Sequence, residues 1–76
     1  MTGALLVEVQ PDAVRLAGET LTLDALVERI ARQLGEDPER RVLVAPAEGV
    51  SLQRAVAVLD RLSAAGAVDI SLIRAR

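Results

Sequence analysis

Seven residue types are missing from this 76-residue chain: histidine, cysteine, lysine, phenylalanine, tyrosine, tryptophan and asparagine. Without His or Cys there is no soft-metal site, no thiol nucleophile and no imidazole base. Zinc chemistry, Ser-His-Asp hydrolysis and thiol redox catalysis therefore each lose an essential part. The absence of Lys also excludes Schiff-base chemistry. A net charge of −2 without a single aromatic stacking platform argues against nucleic acid. No apolar run approaches the ~20 residues of a membrane span, and no secretory leader is visible, so the chain as given reads as soluble and unanchored. The lack of cysteine suits cytoplasm and periplasm equally. No catalytic, cofactor-binding or metal-ligating residue is expected.

What remains is mostly aliphatic. All nine basic residues are Arg, and the excess of Ala, Leu, Val, Gly and Arg resembles translation from a GC-rich genome rather than a functional signature. A single domain of this size buries only ~60% of its unfolded surface, with a core of small aliphatics and no disulfide or metal to help. Dimerisation or a partner is the expected source of further apolar burial.

Leu5, Val7 and Val9 alternate with Leu6, Glu8 and Gln10, the period of a half-buried strand. Pro11-Asp12 breaks it, and Val14 and Leu16 resume it, which predicts a hairpin; Thr20-Leu21 adds a short extended piece. Thr22 is placed to cap a helix running to about Leu34, with Leu23, Leu26, Val27, Ile30 and Leu34 on one stripe and Gly35 taking the left-handed position after it. Val42 to Ala45 is apolar on both faces, as in an interior strand. Ser51 caps a second helix, with Leu52, Ala55, Val56, Leu59 and Leu62 expected to face the sheet, and Gly66 ends it before the strand Ile70–Ile73. The expected fold is α/β, more closely an α+β two-layer sandwich. Its order is β-β-α-β-α-β, with a mixed sheet and both helices on one face. The other face is left open, with Leu6, Ile73 and Ala17 candidates for it.

Several strings in this order resemble the periplasmic domain of the ExbD/TolR family. They are Val7-Glu8-Val9 before a short turn, Leu23-Asp24-Ala25-Leu26 opening the first helix, and Asp37-Pro38-Glu39-Arg40-Arg41-Val42-Leu43-Val44 leading into the central strand. Val56-Ala57-Val58-Leu59-Asp60 and Ala64-Ala65-Gly66-Ala67 continue the likeness. The resemblance spans about Val7 to Ile73. It implies a non-catalytic interaction domain of a proton-motive-force-driven inner-membrane complex, of the TonB-ExbB-ExbD or Tol-Pal type, coupling energy to transport or envelope maintenance. The implied partners are a TonB- or TolA-like transducer, an ExbB- or TolQ-like channel protein reached through an upstream membrane helix, the cell wall in the TolR branch, and a second copy in a weak homodimer. Residues 1–4 then read as added or linker residues, and 5–76 as one domain on the periplasmic side of the inner membrane. One departure is that the family usually carries an acidic residue soon after the central strand, where this chain has Ala47.

Strand edges are the expected binding elements, because an exposed edge offers unpaired N–H and C=O groups. The candidates are Leu5, Leu6, Val7, Glu8 and Val9 at one edge, and Ile70, Ser71, Leu72, Ile73 and Arg74 at the other. The loop residues Glu48 and Gly49, beyond the central strand, and Arg54, Asp60 and Arg61 on the second helix are secondary candidates. Each also reads plainly as turn or solvated surface. Asp12, Glu19, Glu36, Asp37 and Glu39 sit in turns with no pocket implied and read as solvated carboxylates. A different class of function, a small cytoplasmic ligand-sensing α/β regulatory module, is the competing expectation.

Overall fold

The computed structural model describes residues 3–73. Along the chain run β1 (Leu5–Val9), β2 (Val14–Leu16), β3 (Glu19–Leu21), α1 (Leu23–Glu36), β4 (Val42–Pro46), α2 (Leu52–Ala64) and β5 (Ile70–Leu72). The strands form one mixed five-stranded sheet in the order β3-β2-β1-β4-β5. β1, β4 and β5 are parallel neighbours, while β2 and β3 complete an antiparallel meander on the other side of β1. The α+β architecture is the one expected from the sequence, with the extended piece at Thr20-Leu21 realised as a full strand.

That strand exists because the chain can turn back after two residues. Leu16 pairs with Glu19, and Ala17 (φ 54°) and Gly18 (φ 83°) are both left-handed, the combination of a tight hairpin turn whose twist matches its strands. The topology corrects one expectation. Leu5–Val9 is not an outer strand: β2 and β4 flank it, because the β2–β3 meander adds to its free side. The true outer strands are β3 and β5.

α1 begins at Thr22, whose Oγ1 accepts the Ala25 N–H at 3.1 Å. It does not stop at Gly35. The helix runs through to Glu36, Asp37 N–H closes it on Gln33 O at 3.0 Å, and Gly35 is not left-handed. Pro38 thus marks the boundary more faithfully than the glycine does. α2 is capped by Ser51, whose Oγ accepts the Arg54 N–H at 3.1 Å, and ends at Ala64, with Gly66 at φ 110° turning the chain just beyond.

The core lies between the helices and one face of the sheet. Val7, Val9, Val14, Val42 and Val44 meet Leu26, Ile30, Val58 and Leu62, all fully buried. α2 is rotated from the expected pose: Ala55, Val58 and Leu62 are its buried residues, whereas Leu52 is 75% and Val56 44% exposed. The opposite sheet face carries Leu6, Glu8 and Leu43, and among the described residues no helix covers it; Leu6 and Ile73 are exposed as expected, while Ala17 sits in the β2–β3 turn.

Candidate functional site

Two outer strands are free to bind, and their surroundings differ. β3 is bordered by charge. Glu19 accepts a hydrogen bond from Arg29 of α1 at 2.9 Å. That bond and the adjacent positive charge hold the Glu19 carboxyl below the usual glutamate range and raise Arg29. Charges at an edge discourage pairing with another chain.

β5 has one ion pair, Arg41 with Asp69 at 3.2 Å, at its start and aliphatic side chains along the rest. Val42 N–H donates to Asp69 O at 2.8 Å and Ile73 N–H to Val44 O at 2.8 Å. Residues 69, 71 and 73 therefore direct their main-chain groups at β4, and the alternate residues Ile70 and Leu72 direct theirs outward. Leu72 pairs with Val44, so its side chain is on the helix-covered face, where it is 52% exposed. Leu52 and Val56 are exposed on α2. Arg61 reaches α1 through Asp24 at 2.7 Å, and Leu52 is about 180° around α2 from Arg61 at 100° per residue, so the Leu52–Val56 flank faces away from α1, toward β5. Val68, just before β5, is also exposed, at 75%. An unpaired edge with an apolar ledge above it suits an extended segment whose alternate side chains are apolar.

The candidates from the sequence divide accordingly. Ile70, Ser71 and Leu72 form the free edge, with Ile73 next to it; Arg74 lies outside the described residues. Leu5, Val7 and Val9 are buried in the middle of the sheet. Two of the helix residues are spent internally. Arg54 donates from Nε to Gln10 O at 2.7 Å and from Nη2 to Ala13 O at 3.2 Å, clipping α2 to the β1–β2 turn. Arg61 is the partner of Asp24, and Asp60 is exposed.

Glu48 and Gly49 are exposed in a tight turn in which Val50 N–H donates to Ala47 O at 3.1 Å and Gly49 has φ 90°. Ala47 itself is tied to Val9 O at 2.8 Å. No group of three or more metal-ligating side chains exists among the described residues, and no helix there is long and apolar enough to cross a membrane. Sequence reasoning missed the Leu52–Val56–Val68 ledge. Its signal was present: two apolar residues at i and i+4, and a third beside the last strand, beyond what the core stripe needs.

A family model described as biopolymer transport protein ExbD/TolR matches residues 2–76. No curated protein matches the chain.

Proposed function

Since the chain belongs to the ExbD/TolR family of biopolymer transport proteins, we propose that it is the periplasmic interaction domain of a proton-motive-force-driven complex, with β5 as its binding edge. The family is non-catalytic and works in energy-coupling complexes with ExbB/TolQ and TonB/TolA proteins. In this reading the domain sits on the periplasmic side of the inner membrane beside an ExbB- or TolQ-like channel protein. An extended segment of a TonB- or TolA-like transducer adds to the sheet along Ile70 and Leu72. Displacement of the domain is then passed to the transducer through main-chain hydrogen bonds, which hold a load without requiring one particular sequence. A second copy competes for the same edge and gives a weak homodimer; cell-wall contact belongs to the TolR branch of the same reading.

The observation that carries the proposal is the outward N–H of Leu72 on an outer strand whose side chain is half exposed. Proline is tolerated on an outer strand where its nitrogen faces solvent. Leu72→Pro deletes the outward donor and leaves the bonds of residues 71 and 73 to β4 in place. The test is titration with the soluble segment of the transducer from the same organism. The variant is expected to keep the parent circular dichroism and lose at least tenfold in affinity; Leu72→Glu, which keeps the donor and charges the ledge, is expected to weaken binding as well. Parent-like affinity in both folded variants would overturn β5 as the site.

A further inference from the structure

β3 is three residues long and thinly anchored: Glu19 and Thr20 are exposed, and only Leu21 packs, half-buried, against the core. Among the described residues its one side-chain tie is the Glu19–Arg29 pair, 58% and 42% exposed. An ion pair so open to solvent stabilises little. Arg40, the other cation lining the recess beside Glu19, is turned instead to Gly3 O and Gln33 Oε1, each at 2.8 Å.

The paired state of β3 also carries two local costs. Ala17 holds φ 54°, a left-handed conformation that alanine disfavours and glycine or asparagine accepts. Arg15, across the ladder from Thr20, has a buried Nε with no hydrogen-bond partner among the described residues, and its Nη2 reaches Gly18 O only at 3.3 Å. A buried donor left unpaired is costly. Unpairing β3 relieves both, because it frees the turn and opens one flank of Arg15 to water. The chain permits it. Thr22 lies one strand spacing across from Leu16 and about three residues along, roughly 11 Å away, and residues 17–21 can span about 17 Å, so α1 and its cap stay in place.

What β3 covers is the outer edge of β2. Gln10 N–H donates to Ala13 O at 2.9 Å, which makes these two a hydrogen-bonded pair. Alternation along the antiparallel ladder then bonds Glu8 to Arg15 and turns the main-chain groups of Val14 and Leu16 toward β3, where they meet Leu21 and Glu19. We infer that β3 is a hinged cover, opening as a unit about Ala17-Gly18 ahead of the rest of the domain and baring Val14 and Leu16 as a second edge for strand pairing. Closed, the cover presents charge to solvent and blocks pairing. Open, it exposes the N–H and C=O of both residues beside apolar side chains. The inference goes beyond the β5 reading and does not depend on it.

The test is native-state hydrogen exchange by NMR on the whole chain in low urea. The amides of Val14, Leu16, Glu19 and Leu21 are expected to share one local opening, roughly a hundredfold or more as frequent as that of Val7, which is fully buried on the central strand β1. Val58→Ala weakens the core and is expected to speed exchange at Val7 while leaving the four β2–β3 amides unchanged, because an opening that keeps the core intact does not lose that contact. Ala17→Asn is expected to slow the β3 opening about two- to fivefold, and Arg29→Gln to speed it about twofold or more. Protection at the four amides equal to that at Val7, a response of those amides to Val58→Ala, or indifference to both the turn and the ion-pair variants would overturn the cover without touching the β5 proposal.

Discussion

Replacing Val58 with Ala, beside Val56 with Ala, tests how α2 lies on the sheet. Val58 is fully buried in the core, whereas Val56 is 44% exposed. Truncating a buried Val removes about two methylene equivalents at ~0.8 kcal/mol each, and the cavity left behind brings the loss to about 2–3 kcal/mol. A domain of this size has about 4–11 kcal/mol in total, so the loss is a large share. At about 4–8 °C per kcal/mol, Val58→Ala is expected to lower Tm by about 10–20 °C. Val56→Ala is expected to stay within about 0.5 kcal/mol of the parent. The assay is paired thermal and urea unfolding followed by far-UV circular dichroism. Equal losses, or a larger loss at Val56, would refute the observed rotation and with it the ledge over β5.

Three further outcomes follow from local geometry. Ala17→Asn is expected to raise stability by about 0.5–1 kcal/mol in urea melts, because Asn tolerates the left-handed φ of 54° at that position better than Ala does. Loss of the α1 cap in Thr22→Ala is expected to cost about 1 kcal/mol, read by the same melts. The Glu19 carboxyl is depressed by its hydrogen bond from Arg29 and by that residue's charge. Its stabilising contribution is present above the unfolded glutamate value of about 4.3 and is lost as pH falls through the lower folded value. Arg29→Gln is expected to move the Glu19 NMR titration midpoint upward, toward the ordinary glutamate value, and to flatten the acid limb of stability against pH.

Much of the fold was legible because local signals agreed with one another. The alternation in Leu5–Val9, the caps at Thr22 and Ser51 and the two-faced apolar run at Val42–Ala45 each have a physical cause within a few residues. Strand order was not legible in the same way. Whether β1 ends up outside or inside depends on Ala17 entering a conformation that alanine disfavours, and on the resulting β3 pairing back onto β2. The pose of α2 failed for a related reason: Leu52, Val56 and Val58 are all apolar, so periodicity alone allows two stripes about 100–140° apart. The stripe containing Val58 was chosen by the sheet beneath. Because Leu52 and Val56 were assigned to the core, the ledge beside β5 went unseen, although the β5 edge itself was identified. The uses of Arg54 and Arg40 depend on partners 44 and 37 positions away, Gln10 and Gly3, which no local pattern reveals.

The most direct test of the central claim is hydrogen exchange, residue by residue, with and without the soluble segment of the TonB- or TolA-like transducer. The account predicts new protection at the Ile70 and Leu72 amides, which among the described residues have no ladder partner, with little change along β3. Binding that leaves both amides exchanging at their free rates would contradict it.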